Sequence, residues 1–407
     1  MDGFIRLAVV FVAIVIALKK KVFVGYVLFG AGLATAVLFG IDPADIFNGY
    51  KDVLFSARFL NLLGIIILIT FLGRLLRDIG SLDRLVTATN SLIGGARAAC
   101  ALMPLLIGLM PMPGGALMSA PLVGKVLSED NYSRQFATVV NYWSRHVIEF
   151  AWPIYPGVVL AAALASVPVG KISLLMLPMP FIMILVGFIF FIRKIENDNN
   201  KGGRIIGPIG GTLRTVWPIL LAIAIYAVFS ISLLVSIAVV ILLLMAIERP
   251  RLQVIFDVSK EALSPRLFAL VFGIISFQKM LEITGAVNSI TALSTELGLP
   301  AIAIIIVVAF AAGLLTGMLA ALIGLSFTIL AGYLYQPELN WGNIFIAFLA
   351  GYVGMILSPT HFCLILSSEY FRAGLGSVYR LLMIPIIILF LVGFLLYILG
   401  YPWRILA

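Results

Sequence analysis

The sequence contains two histidines, and each stands where an apolar run is interrupted: "NYWSRHVIEFAWP" surrounds His146 and "LSPTHF" surrounds His361. In the first segment Arg145, His146 and Glu149 lie among aromatics, with Asn141 a little upstream. Arg145 and Glu149 are four apart, the spacing at which opposite charges meet across a helical turn, and a lone charge in lipid is expensive. An imidazole titrates near neutral pH, so His146 is a candidate for coupling a proton, and the neutral Asn141 amide can ligate Na+ or bond a carboxylate. A plainer reading keeps the segment at a membrane interface, with Tyr142, Trp143 and Trp152 as an aromatic belt and the charges snorkelling to water.

The second interruption brings Ser358, Pro359, Thr360 and His361 together after an apolar run. Pro359 lacks a backbone donor and frees a carbonyl, and two hydroxyls and an imidazole stand beside it. A helix end capped by Ser358 is the plain alternative. Glu369 is a candidate proton or cation ligand, or one half of a surface pair with Arg372. Two glycine-bearing turns add further candidates. In "PMPGG", Pro111 and Pro113 break a helix, Gly114 and Gly115 permit a tight turn with close approach of a solute, and Ser119 follows one turn later. Thr316 and Gly317 are the corresponding residues in "LLTGM", with Gly313 and Gly324 allowing close packing. Ordinary tight connections between membrane helices remain the alternative at both places.

No catalytic arrangement competes with these candidates. HExxH, GxSxG and phosphate-binding loops are absent, and Cys100 and Cys363 form no CxxC. The expectation is a protein that is not an enzyme and holds no metal or other cofactor.

The elements that must position these residues are membrane helices. Of 407 residues, 62% are hydrophobic and 11% charged, with a mean hydropathy of +1.17. A soluble domain cannot hide that much apolar surface. Apolar stretches recur from end to end, so roughly nine to eleven crossings or partial crossings are expected. The formal charge of +9 comes from short basic clusters beside apolar runs, which set topology and argue against a nucleic-acid partner. Lys19, Lys20 and Lys21 follow the first apolar run, 4–18, so that run is expected to be retained as a helix with its N-terminus outside. Further spans are expected at 22–39 and 59–73, with an external loop at 40–57 and an interfacial amphipathic helix at 74–96.

The run 98–110, the turn at 111–115 and the run 116–128 read as a re-entrant hairpin, too short to cross. A polar stretch at 193–214 reads as a cytoplasmic linker between a first transmembrane repeat, 1–192, and a second, 215–407. Both halves have two linked spans, a third span, a glycine-bearing hairpin and an interrupted helix with the half's one histidine. Arg58–Thr87 and Arg266–Thr295 form a local match. The basic-residue rule gives the halves opposite orientations, an architecture used by secondary transporters.

The segments "PMPGGALMSAP", "NYWSRHVIEFAWPIYPG" and "LSPTHFCLILSSEYFRA" resemble DUF401, a family of prokaryotic integral membrane proteins, over nearly the full chain. That family is grouped with the ion transporter superfamily of gluconate, citrate, arsenite and dicarboxylate carriers. The resemblance implies an all-α polytopic membrane protein with two inverted-topology repeats, re-entrant hairpins and discontinuous helices. It also implies a multi-pass protein of a prokaryotic plasma or inner membrane, symport with H+ or Na+, and a homodimer. The Ser-Asn-Thr signatures of dicarboxylate members are replaced here by Pro113, Gly114, Gly115 and by Thr316, Gly317. The functional expectation is therefore a secondary active transporter for a small organic or inorganic anion. Its substrate site would draw on Pro113, Gly114, Gly115, Ser119, Asn141, Thr316, Gly317, Ser358, Pro359 and Thr360, and its ion coupling on His146, Glu149, His361 and Glu369. A channel, a non-transporting scaffold and an intramembrane enzyme are the alternatives.

Overall fold

Backbone in lipid must satisfy its own polar groups, and helix is the regular structure found throughout the described residues. The computed structural model describes residues 2–81, 84, 95–110, 112, 114–129, 131–196, 209–287 and 296–402. The chain is an all-α polytopic membrane protein. Its first half runs α1 (Asp2–Lys19), α2 (Val24–Leu38), α3 (Pro43–Phe55), α4 (Ala57–Asp78), α5 (Ala96–Gly108), α6 (Gly115–Val126), α7 (Arg134–His146), α8 (Pro156–Ala165), α9 (Val169–Met176) and α10 (Pro178–Phe190). The second runs α11 (Ile209–Phe229), α12 (Leu233–Glu248), α13 (Leu252–Ala262), α14 (Pro265–Thr284), α15 (Ala301–Thr316), α16 (Leu319–Ile329), α17 (Ala331–Leu334), α18 (Trp341–Ile356), α19 (Phe362–Tyr370) and α20 (Leu375–Ile398).

Three expectations about elements change. The external loop at 40–57 is helix α3, because Pro43 fits its first turn and Ile46, Gly49 and Val53 turn one face inward at helical spacing. Helix α4 continues to Asp78, and most of the expected interfacial helix at 74–96 lies outside the described residues. The expected linker at 193–214 is described only at its ends.

Ala57–Asp78, Val169–Lys194, Leu252–Thr284 and Leu375–Ile398 are long and apolar enough to cross a membrane. Shorter apolar helices fill the space between them. With 13 and 12 residues, α5 and α6 reach only about 20 and 18 Å, well short of a hydrocarbon core of about 30 Å. The outward faces are apolar: Ile384, Ile387, Leu391, Leu395 and Ile398 form an exposed stripe along α20. Water would disfavour that stripe and lipid accepts it.

The two halves pack reciprocally. Helix α2 lies on α14 as α12 lies on α4; α3 meets α14 as α13 meets α4; α5 meets α7 as α15 meets α18; and α8 meets α16 as α19 meets α6. Backbones approach closely where α15 meets α18. A Cβ on Gly354 would lie 3.0 Å from Leu314 N and nearer still to the Phe310 carbonyl oxygen.

The reciprocity reaches single bonds. Tyr142 Oη, four residues before the end of α7, donates to Ile356 O at the end of α18, at 2.9 Å. Tyr352 Oη, four residues before the end of α18, donates to His146 O at the end of α7, at 2.6 Å. Both tyrosines are fully buried.

Two predictions follow from this packing. Gly354→Ala presses a methyl group on backbone that cannot rotate away, so the melting temperature in detergent should fall. Gly30→Ala, on an exposed helical site with nothing within 4 Å, should leave it unchanged or raise it. Tyr142→Phe and Tyr352→Phe each remove a donor from a buried carbonyl, a loss of about 1–3 kcal/mol. Chemical denaturation should show the smaller loss for Tyr352→Phe, since His146 O keeps a second bond from Glu149 N at 3.3 Å.

Candidate functional site

Helix α7 stops at His146 and the chain passes through turns before α8 resumes at Pro156; α18 stops at Ile356 and α19 resumes at Phe362. Pro153 and Pro156 on one side, and Pro359 on the other, cannot supply the N–H groups that would carry the helices through. The freed carbonyls at both hairpins are then met by side chains from the interruptions. At the first hairpin Tyr155 Oη donates to Gly108 O at 2.5 Å, Trp152 Nε1 to Leu109 O at 3.1 Å, and Arg145 to Met112 O at 3.2 Å. At the second, Ser358 Oγ donates to Leu314 O at 2.7 Å and His361 Nδ1 bonds Gly317 O at 2.8 Å.

The interruptions cross at the two histidines. His146 Nε2 and His361 Nε2 are 3.0 Å apart, and both rings are buried. His146 Nδ1 bonds Tyr142 O at 2.7 Å, and His361 Nδ1 bonds Gly317 O. A carbonyl oxygen only accepts, so each Nδ1 carries the hydrogen and each neutral ring turns its Nε2 lone pair toward the other. Two lone pairs at that distance call for a positive species between them or beside them. Glu149 Oε2 lies 3.8 Å from His146 Nε2 and has no hydrogen-bond partner among the described residues. The ligand atoms of His146, His361 and Cys363 all fall within 4.8 Å of one another, and Cys363 is buried.

Beside this cluster lies a buried cation. Arg145 is 3% exposed; its guanidinium donates to Met112 O and, at 3.4 Å, to Tyr155 Oη, while Nε has no partner among the described residues. Gly115 makes room for it, since a Cβ there would lie 2.9 Å from Arg145 Nε. Gly114, with φ of +77°, sets the turn that starts α6 at this point. Asn141 Nδ2 donates to Ala116 O and to Ser367 Oγ, both at 2.9 Å, tying α7 to the first hairpin and to α19. Asn141 Oδ1 and Ser368 Oγ are buried without partners among the described residues. Buried polar atoms are nearly always satisfied, so the open ones on α7, α19 and the turn after α7 stand out, as do Arg58 Nε, Arg74 Nε, Ser173 Oγ, Ser276 Oγ and Tyr335 Oη elsewhere.

Several sequence expectations are relocated. Arg145 and Glu149 do not pair across a helical turn, because α7 ends at His146 and Glu149 lies in the turn beyond it. The interfacial belt is also overturned: Tyr142 and Trp143 are at most 2% exposed, and Trp143 Nε1 donates inward to Met183 O at 3.0 Å. Ser119 and Thr316 bond within their own helices, to Ala116 O at 3.2 Å and Ala312 O at 2.8 Å. Gly317 packs against Thr360 and His361 at the second interruption. Ser358 is buried and its Oγ lies 2.8 Å from Thr360 Oγ1, while Pro359 and Thr360 are exposed. Glu369 is exposed and forms no ion pair with Arg372 among the described residues, so it stands apart from the histidine cluster. Pro113 lies outside the described residues.

Sequence reasoning passed over Cys363, Tyr155, Ser367 and Ser368 as site residues; Cys363 sits two positions after His361, which was the one available signal. Two clefts of about 240 and 370 Å³ share Arg58 in their walls, and the larger runs between α4 and the stretch from α8 to the start of α9. Arg58 itself donates to Gln278 Oε1 and Leu164 O, both at 3.1 Å.

Comparison with curated proteins gives no match. The family described as "Protein of unknown function (DUF401)" matches residues 5–399, nearly the whole chain, with both interrupted helices and both hairpins inside the match; the protein belongs to the DUF401 family.

Proposed function

We propose that this protein is a secondary active transporter that moves a small anion by alternating access. The observation that carries the reading is the buried Arg145 guanidinium, whose Nε is left open against the Gly114–Gly115 turn at the crossing of two interrupted helices. Among the described residues this buried cation's hydrogen bonds go to a carbonyl and a phenol, which leaves its charge uncompensated by them, and an anionic solute offsets that cost. The N-terminus of α6 opens at the same turn and adds partial positive charge. Asn141 Oδ1 and Ser368 Oγ are further polar groups for such a solute.

The reciprocal packing supports two repeats, 1–192 and 215–407, joined by a linker at 193–214. In this reading they are inverted, with the N-terminus outside, in a prokaryotic plasma or inner membrane. Inversion of near-equal halves lets either face of one site open in turn, which is the logic of alternating access. The grouping of DUF401 with the ion transporter superfamily, an expectation from the sequence, would point the same way. Under that grouping H+ or Na+ would be the driving ion and a homodimer the assembly. No catalysis is proposed.

The first test is a thermal-shift screen of the purified protein against small carboxylates, phosphate and sulfate, with and without Na+ and at two pH values. A cognate anion at a hundred times its Kd stabilises the folded state by about 2.7 kcal/mol, so a selective rise in melting temperature is expected. The screen should then be repeated on Gly115→Ala, whose new methyl group displaces the flexible Arg145 head without cutting into backbone. Affinity for the same anion should drop roughly tenfold, about 1.4 kcal/mol. A well-folded protein that responds to no anion would remove the anion reading. Uptake of the stabilising anion into proteoliposomes should saturate and require an ion gradient; unsaturable, gradient-independent flux would make the protein a channel.

A further inference from the structure

We propose that His146, His361 and Cys363, completed by Glu149, bind one thiophilic divalent cation of the Zn2+ class at the crossing of the two interrupted helices. The site goes beyond the anion reading and stands on other atoms.

Donor orientation comes first. Both imidazoles spend Nδ1–H on backbone carbonyls, Tyr142 O and Gly317 O, and leave Nε2 lone pairs facing a common point. A carbonyl behind each ring is the arrangement that holds a metal-ligating histidine in its required tautomer and orientation. Spacing comes next. A tetrahedral Zn2+ with bonds of about 2.0 to 2.3 Å keeps its ligand atoms roughly 3.3–3.7 Å apart. Here the two Nε2 atoms are 3.0 Å apart, Glu149 Oε2 is 3.8 Å from His146 Nε2, and Cys363 Sγ lies within 4.8 Å of both rings. Side-chain movements of a fraction of an ångström to about an ångström close the shell.

Ligand chemistry selects the ion. Two imidazoles and a thiolate favour Zn2+ over the oxygen-preferring Mg2+ and Ca2+. Charge selects the valence: a divalent ion with a Cys363 thiolate and a Glu149 carboxylate makes a neutral unit, which a buried setting tolerates far better than its separate charges. On binding, the Cys363 thiol releases its proton to the buffer as the S–metal bond forms. The four groups come from three separate places in the fold: the end of α7, the turn that follows it, and the start of α19. A metal would therefore tie the two interruptions together at the point where they cross.

The experiment uses the full-length protein in detergent, free of any polyhistidine tag and stripped with a chelator, then loaded with Co2+ or Zn2+ alone and desalted. One metal per chain by elemental analysis is expected, with a thiolate-to-Co2+ charge-transfer band in the near ultraviolet. Cys363→Ser should abolish the band and His361→Gln should weaken Zn2+ affinity by at least about tenfold. Cys100→Ser, which alters the other buried cysteine, should change neither. Wild-type protein that melts cooperatively but holds no stoichiometric metal, or shows no thiolate band, would overturn the site and leave a shared proton between the two rings. Binding that survives Cys363→Ser unchanged would overturn it as well. Should a variant fail to fold, the wild-type stoichiometry and spectrum decide the matter alone. The metal count is read with no anion added and the anion screen is read on stripped and on metal-loaded protein, so failure of the metal site and failure of the anion reading are told apart.

Discussion

A helix that stops inside an apolar medium leaves carbonyl oxygens with nothing to accept from, and the structure is organised around that cost. The ends of α7 and α18 are satisfied by each other: Tyr142 reaches Ile356 O and Tyr352 reaches His146 O. Neither interruption could be moved alone, because each supplies the other's missing donor. The same demand recurs one layer out, where Tyr155, Trp152, Arg145, Ser358 and His361 meet carbonyls at the ends and tips of the two hairpins. The polar side chains at the centre are thus first of all the partners of a broken backbone.

That structural duty also orients the chemistry. Because His361 must give Nδ1–H to the Gly317 carbonyl and His146 must give its own to Tyr142, both rings are forced to present Nε2 to one another. Because Arg145 must reach Met112 O, its guanidinium is drawn across the Gly114–Gly115 turn and its Nε is left facing that turn without a partner. Polar groups that hold the backbone with one atom leave another open, and the two proposed sites are built on those open atoms.

The membrane class, most helix positions and the two interruptions were legible in the sequence, since lipid imposes long apolar runs and Pro or Gly marks where they fail. The resemblance to DUF401 was legible too, from three segments that together span the interruptions and the first hairpin. Helix α3 was not, because Asp42, Asp45 and Asp52 lower the local hydropathy while Ile46 and Val53 still define a buried face. The end of α7 was hidden for another reason: no proline or glycine lies between His146 and Trp152, and the turn is set by tertiary bonds. A helical period carried through that point pairs Arg145 with Glu149, whereas the real turn sends Glu149 toward His146. The meeting of His146 with His361 and Cys363 spans more than 200 positions, and no local pattern encodes it.

Charge links the two proposed occupants. In a low-dielectric interior, interactions between ions are strong and an uncompensated charge is heavily penalised. With a divalent cation held by the Cys363 thiolate and the Glu149 carboxylate, that unit is neutral and Arg145 stands as a lone positive charge beside the hairpin turn. Without the cation, Glu149 is free to offset Arg145, and the demand for an anion weakens. If both proposals hold, each occupant would favour the other, and by thermodynamic reciprocity the strengthening would be equal in both directions. The proposed cation would sit where α7 and α19 cross and the proposed anion where α7 meets the first hairpin, so filling both would draw both hairpins onto one helix end. In the proposed transporter, closure around a filled site would then depend on two ligands rather than one.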